Sequence, residues 1–409
     1  MPGCFPGDPS MRLLTRGPLP QGKKRKRDAG SSKKEDLPTA PLPVPKKVRV
    51  KLVVPDNSPT TDDEHVIAPR APVLTIRARE ATIANEPLVD YERIRKLGES
   101  SEGKVYLVKS KKTAELLAVK VLKKQKAYDV AQLPADCLLQ INLPMHPYII
   151  FMHQIDIVDG QIWQGLELCN GGDLMSYMER VNRVDPNVYK PSLEVRKMFI
   201  VHVFAQLGEA LAFLHHGLRR VYKDNWEFDA GWSADRAIIW GDLKPENAIL
   251  AFNTANELSL LPDVRLSDGG HATLASSPWR IAGSPIYFCP EVRLADRGEK
   301  GPPMSTKSDI YTLGLTLYFL ITGRHWRTGA DPKYTTLPTE YRGLGLTKLL
   351  TKCLQVNPRD RPSMDLDPVS GLVPAIEKAC DLRYDLVSTC TTSDLDFWRR
   401  WYKEACAKV

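Results

Sequence analysis

Two glycines, Gly98 and Gly103, open the part of the sequence whose side chains could do chemistry. They lie in Leu97-Gly-Glu-Ser-Ser-Glu-Gly-Lys-Val105 and allow a tight turn whose backbone amides can approach a phosphate. Ser100 stands at the middle of a Gly-x-Gly-x-x-Gly spacing, so by itself this string fits an ordinary hairpin equally well. Ala118-Val-Lys120 then places a lysine on a strand, 17 residues after Gly103. A lone strand lysine would snorkel to solvent, but at this spacing it can reach the phosphates of a nucleotide. Further on, Trp240-Gly-Asp-Leu-Lys-Pro-Glu-Asn247 gathers carboxylates, an ammonium and an amide, and Leu266-Ser-Asp-Gly-Gly270 adds another carboxylate. Phosphoryl transfer needs phosphates held, charge neutralised and a hydroxyl aimed. These four stretches carry side chains of those types.

In this order the stretches resemble the eukaryotic protein kinase family, whose catalytic loop reads His-Arg-Asp-Leu-Lys-Pro-Glu-Asn. The resemblance implies ATP and Mg²⁺ as cofactors and a protein as substrate. It implies that Asp242 accepts the substrate hydroxyl proton, that Lys244 neutralises the γ-phosphate, and that Asn247 and Asp268 hold Mg²⁺. The Asp-x-Lys-Pro-Glu-Asn form looks like the serine/threonine branch rather than the tyrosine branch. Gly98, Ser100, Gly103, Val105, Ala118 and Lys120 would enclose the nucleotide. Leu166-Glu-Leu-Cys-Asn-Gly-Gly-Asp173 resembles the hinge, with backbone at Glu167 and Cys169 for adenine and Asp173 for the ribose. Gly283-Ser-Pro-Ile-Tyr-Phe-Cys-Pro-Glu291 resembles the substrate-facing loop, and Asp309-Ile-Tyr-Thr-Leu-Gly314 the buried helix that anchors the catalytic loop. Arg361 stands where the family pairs an arginine with the glutamate here numbered Glu291.

The sequence departs from that pattern in places. Gly241 replaces the arginine that gathers an activation-loop phosphate, so a phosphate at Ser276 or Ser277 would lack its main partner. Activity that does not depend on such phosphorylation is expected. Trp240 and Gly269 replace a stacked histidine–phenylalanine pair; one side chain has grown and the other has vanished. Either the Trp240 indole fills the room left at Gly269, a volume-conserving exchange, or the two are independent losses. Asp136 is the expected carboxylate partner of Lys120, although a shift of one residue would put Ala135 there. These departures keep a second class open: a pseudokinase scaffold that binds partners without transferring a phosphoryl group.

The elements that must position these residues follow from periodicity. Short apolar strands run from Tyr91 to Leu122 and again through Ile155–Val158 and Gln161–Leu168. A long helix runs from Glu194 to His215 with Phe199, Val203, Leu207, Leu211 and Leu214 on one face, and the last third is mostly helical. The fold class expected is α+β: a two-lobed protein-kinase fold with a small β-rich N-lobe and a larger helical C-lobe. The kinase domain is expected over residues 86–375, its N-lobe about 86–168 and its C-lobe about 169–375, with an insertion about 217–239. That insertion, which holds Trp226 and Trp232, reads as a mobile surface loop or a partner-binding surface. Residues 376–409 form a C-terminal helical extension whose Phe397-Trp-Arg-Arg-Trp-Tyr402 would pack onto the domain.

Residues 1–85 hold 13 of the 32 prolines and read as a disordered basic segment. They carry 16 Lys+Arg and 9 Asp+Glu, so 16 − 9 = +7 of the net charge of +8 lies there. The domain is left near neutrality, and no specific nucleic-acid binding is expected of it. Lys23-Lys-Arg-Lys-Arg27 fits a nuclear-import receptor, which points to the nucleus and/or the cytoplasm. The eight cysteines are scattered without a Cys-x-x-Cys pair, which speaks against zinc and disulfides. The apolar run from Ile310 to Thr322 is too short to span a bilayer, and no membrane partner is expected. Cys406-Ala-Lys-Val409 has the outline of a prenylation box, but lysine at an aliphatic position speaks against it.

Overall fold

The computed structural model describes residues 74–77, 86–100, 102–123, 133–182, 189–222, 225–229, 232–252, 261–277, 281–327, 330–331 and 336–407. The basic block Lys23–Arg27 lies outside the described residues.

The N-terminal lobe is a six-stranded antiparallel sheet in the order β1-β5-β6-β4-β3-β2. Its strands are β1 (Leu74–Arg77), β2 (Glu92–Glu99), β3 (Gly103–Lys109), β4 (Leu116–Leu122), β5 (Met152–Val158) and β6 (Gln161–Leu166). Strand β1 corrects the reading of residues 1–85 as wholly disordered: Leu74 to Arg77 pair with β5, Leu74 opposite Ile157. Past the last proline of that segment, Pro72, the run Leu-Thr-Ile-Arg alternates and is free to join an open sheet edge. Helix α1 (Ala135–Asn142) lays Cys137 and Ile141 on the sheet against Met152, Ile155 and Ile162, closing the core of this lobe.

The C-terminal lobe is built on α3 (Leu193–His216). Ser192 caps its start, accepting the Val195 N–H at 3.3 Å, and Gly217 ends it at φ 67°. This helix is long and apolar enough to cross a membrane by length and composition, yet the apolar window is wholly buried inside the protein. The expected single apolar face is therefore replaced by burial on every side, because neighbouring helices and strands surround it. Helices α2 (Leu174–Asn182), α5 (Thr306–Thr322), α7 (Val373–Thr389) and α8 (Thr392–Cys406) pack on it, and the lobe also carries α4 (Pro290–Asp296) and α6 (Leu346–Cys353). Helix α8 begins with a capping box between Thr391 and Asp394. Its Trp398 and Trp401 stack on Tyr177 of α2 with ring centroids 5.8 and 6.1 Å apart, and Arg180 meets Glu404 through two hydrogen bonds of 2.8 Å.

The insertion is a hairpin of β7 (Leu218–Tyr222) and β8 (Asn225–Phe228), followed by the short strand β9 (Ile238–Ile239). It is held down rather than left over solvent. Trp226 Nε1 donates to Glu377 Oε1 of α7 at 2.9 Å, and Arg220 Nε donates to Glu209 Oε1 of α3 at 2.9 Å. The Trp232 ring covers Gly217 so closely that a Cβ there would lie 2.3 Å from it. The remaining strands form two small pairs, β10 (Ala248–Ala251) with β11 (Asp263–Leu266), and β12 (Thr273–Leu274) with β9. They flank the Trp240–Asn247 segment at the cleft between the lobes.

Candidate active site

The site starts from a turn between β2 and β3. A Cβ on Gly103 would stand 2.3 Å from Val121 O, so only glycine lets β3 meet β4 in this register. Ser100 N–H donates to Gly103 O at 2.8 Å, and the Ser100 hydroxyl accepts the Glu102 N–H at 3.2 Å. Glu102 O in turn accepts the Lys123 N–H at 2.7 Å. These contacts fix the tip of the turn and send the Glu102 carboxylate into the cleft.

Lys120 on β4 is 7% exposed, and its ammonium lies 2.6 Å from Glu102 Oε2 and 2.6 Å from Asp268 Oδ1. Burial pulls its pKa down, but the two carboxylates outweigh that and hold it above the ordinary lysine value. Burial likewise pushes Asp268 up, and Lys120 more than offsets it, leaving Asp268 below the usual carboxylate range. The carboxylate of Glu102 meets Lys120, a contact the sequence reading did not foresee. Asp136 lies on α1 with its side chain outside those described. The α1 side chain that meets this part of the sheet is Cys137, whose Sγ lies 3.4 Å from Gln164 Nε2. Sequence spacing pointed to the helix; the tight β2–β3 turn also brings a carboxylate to the lysine.

The catalytic segment follows β9. Asp242, 3% exposed, accepts four hydrogen bonds. Ser284 N–H reaches Oδ1 at 2.8 Å, Lys244 Nζ reaches Oδ2 at 2.8 Å, and Asn247 Nδ2 reaches Oδ2 at 3.0 Å and the backbone oxygen at 2.8 Å. Lys244 Nζ also donates to Ser284 Oγ at 2.5 Å. The segment is anchored from α5: Asp309 accepts Trp240 N–H at 2.8 Å and Gly241 N–H at 2.9 Å, with His215 Nε2 2.9 Å away. Below it, Arg361 meets Glu291 through two hydrogen bonds of 2.7 Å, both side chains fully buried.

Trp240 is buried in the C-lobe core, with Nε1 lacking a hydrogen-bond partner among the described residues. A Cβ on Gly269 would meet Gln140 Cδ at 2.7 Å, so the amide of Gln140, from α1, lies against that glycine. Helix α1 packs on the 269–271 turn, and its Gln140 stands beside that glycine.

The cleft is a cavity of about 1420 Å³. Gly98, Ser100, Val105, Ala118, Lys120, Glu167, Cys169, Asp173, Lys244, Asn247 and Asp268 all border it, as does Glu102. Gly103 shapes the turn from behind, and Asp242 borders an adjoining crevice with Ser284. Leu166, Ile249 and Leu266 give the cleft apolar walls suited to a flat ring. Past the hinge it extends to Trp401 and Ala405 of α8. Glu167 is held by Arg265 and accepts the Phe151 N–H at 3.1 Å, while Asp173 Oδ1 accepts the Ser176 N–H and hydroxyl at 2.7 Å each. Asp173 therefore also caps α2. Sequence reasoning missed Glu102, Gln140, Ser284 and Arg265. Glu102 and Ser284 lie inside strings it singled out, whereas Gln140 and Arg265 carry no local signal.

A magnesium nucleotide suits these donors. Asn247 spends its N–H₂ group on Asp242, which leaves Oδ1 as the atom able to meet a cation, and Asp268 is held ionised nearby. Among the described residues no group of three or more His, Cys, Asp or Glu could hold a metal alone. That fits Mg²⁺, which binds one or two protein oxygens together with substrate phosphates.

The protein-kinase-domain family model matches residues 91–367, more than half of the chain. Among curated proteins, the chain is 28% identical over 57% of its length to CBL-interacting serine/threonine-protein kinase 20 of Arabidopsis thaliana, covering 45% of that protein. It is 28% identical over 67% of its length to serine/threonine-protein kinase 10 of Mus musculus, covering 26% of it. It is 26% identical over 67% of its length to mouse serine/threonine-protein kinase Nek1, covering 20% of it. The chain thus spans less than half the length of these relatives. With the two lobes, the lysine-bearing sheet and the Asp242–Lys244–Asn247 segment in place, the match over 91–367 identifies this chain as a member of the protein kinase family.

Proposed function

We propose that the protein is a serine/threonine kinase that transfers the γ-phosphoryl of ATP to a protein hydroxyl. The observation that carries this reading is Lys244 Nζ, which bridges Asp242 Oδ2 at 2.8 Å and Ser284 Oγ at 2.5 Å. It ties the carboxylate to the loop that would present a substrate. In this reading Asp242 orients the incoming hydroxyl and accepts its proton, held by the Ser284 and Asn247 donors so that one geometry is populated. Lys244 places a positive charge where negative charge builds up between acceptor and phosphate. Lys120 holds the phosphates, and Val105, Ala118, Leu166 and Leu266 enclose the adenine. Asn247 and Asp268 would hold Mg²⁺, which supplies charge neutralisation between the phosphates.

The test compares ATP turnover by the wild-type chain and by Asp242→Asn with Mg²⁺ and a protein acceptor. A loss of at least about a hundredfold is expected. Equal, background-level rates would leave only the scaffold reading. We also propose nuclear entry through Lys23–Arg27, supported by that basic run. Unchanged nuclear partitioning after replacing the five cations with glutamine would refute it.

A further inference from the structure

We infer that Glu102, at the tip of the β2–β3 turn, is the positioning residue for Lys120. It reaches the lysine from the roof of the cleft; Asp136 on α1, which spacing offered for this part, has its side chain outside those described. The inference rests on the kinase reading for its purpose, though not for its geometry.

Three observations converge on it. Lys120 is almost fully buried and carries a charge that needs a partner at all stages of a nucleotide cycle. Of its two carboxylate partners among the described residues, Asp268 is the one a bound metal would engage, so Glu102 is the described carboxylate left to hold the lysine. Second, a neutral α1 side chain is described on the lysine's face of the sheet. Gln164 stands directly across from Lys120 in the β4–β6 ladder, which puts both side chains on one face of the sheet. The α1 group that meets Gln164 there is the Cys137 thiol, at 3.4 Å. Third, Glu102 is held from its own side: its N–H by Ser100 Oγ and its carbonyl by Lys123 N–H. Room is kept as well, since a Cβ on Gly270 would come within 2.9 Å of both Glu102 carboxylate oxygens. His271 Nε2, 3.7 Å from Oε1, is the other charged or titratable neighbour.

The serine at the middle of the glycine pattern is then no mere loss. Its hydroxyl aims the carboxylate. The cleft roof and the lysine become one unit.

The experiment measures Mg·ATP binding with a fluorescent ATP analogue, and ATP turnover, in the full chain and three variants: Glu102→Gln, Glu102→Asp, and Glu102→Gln with Cys137→Glu. Glu102→Gln should weaken nucleotide binding and raise KM for ATP on the order of tenfold or more, with its melting temperature close to wild type. Glu102→Asp should fall between the two. Returning a carboxylate to α1 through Cys137→Glu should recover part of the loss. If that double variant does not fold, the Gln and Asp variants decide. Glu102→Gln binding ATP as well as or better than wild type would overturn the inference and mark the carboxylate as a competitor of the phosphates. Absence of nucleotide binding by the wild-type chain would overturn it too. Binding without turnover, still weakened by Glu102→Gln, would sink the kinase reading and leave the positioning role standing.

Discussion

Asp309 Oδ1 accepts the Gly241 N–H at 2.9 Å, joining positions 68 residues apart. With Trp240 N–H and His215 on Oδ2, one carboxylate holds the backbone just before Asp242. Asp309→Ala strands buried donors and should cost about 3 kcal/mol, read by urea unfolding. The folded fraction should also lose phosphoryl transfer. Unfolding like wild type would show that the anchor is dispensable.

Gly241 sits at φ 82°, and a Cβ there would lie 3.0 Å from His271 O. Gly241→Arg should therefore destabilise by about 1–2 kcal/mol rather than restore a phosphate-binding arginine. Phosphatase treatment of the wild-type chain should leave its turnover unchanged, and loss of turnover would count against a phosphate-independent site.

Ser284→Ala removes the hydroxyl that meets Lys244 but leaves the Ser284 N–H on Asp242. Turnover should fall on the order of tenfold while melting stays within about a degree or two of wild type. A parallel loss of stability would reassign Ser284 to the fold.

Burial pushes the Glu291 carboxyl up, but Arg361 outweighs it and leaves it below the ordinary value of 4.5. A depressed carboxylate stabilises the folded chain above that ordinary value and stops doing so as pH falls through the folded one. Arg361→Ala should cost about 3–5 kcal/mol at pH 7 because Glu291 is left buried and unpaired. The deficit should shrink as the pH approaches 4, where Glu291 can take a proton. A pH-independent deficit would contradict the charge argument.

His202 is buried, with Nε2 2.9 Å from Pro262 O and Nδ1 3.1 Å from an Arg383 guanidinium nitrogen. Burial, aided by Arg383, lowers its pKa to about 3. The neutral ring donates through Nε2 and accepts at Nδ1. The unfolded chain takes up a proton near 6.5 that the folded one refuses, so the His202 contribution is whole above 6.5 and declines as pH falls toward 3. Wild type should lose stability from pH 6.5 to 4.5, and His202→Gln should show a shallower slope, both by thermal melting. Equal slopes would refute it.

The four polar strings and their order made the α+β, two-lobed architecture legible before any coordinates, because the chemistry of holding a nucleotide constrains residues close in sequence. Local signals served well where an element depends on its own residues. Apolar periodicity placed a helix over Glu194–His215, and α3 runs from Leu193 to His216. Contacts between distant elements were another matter. Position along the chain pointed neither to Glu102, which meets Lys120, nor to Gln140, which lies against Gly269. Which side chain reaches a shared space first depends on how α1 and the β2–β3 turn lie over the cleft. The sequence by itself determined the types of group available for phosphoryl transfer and the elements that carry them. Only the tertiary structure decided which carboxylate meets Lys120, because that is a competition in three dimensions among charges that no spacing rule ranks.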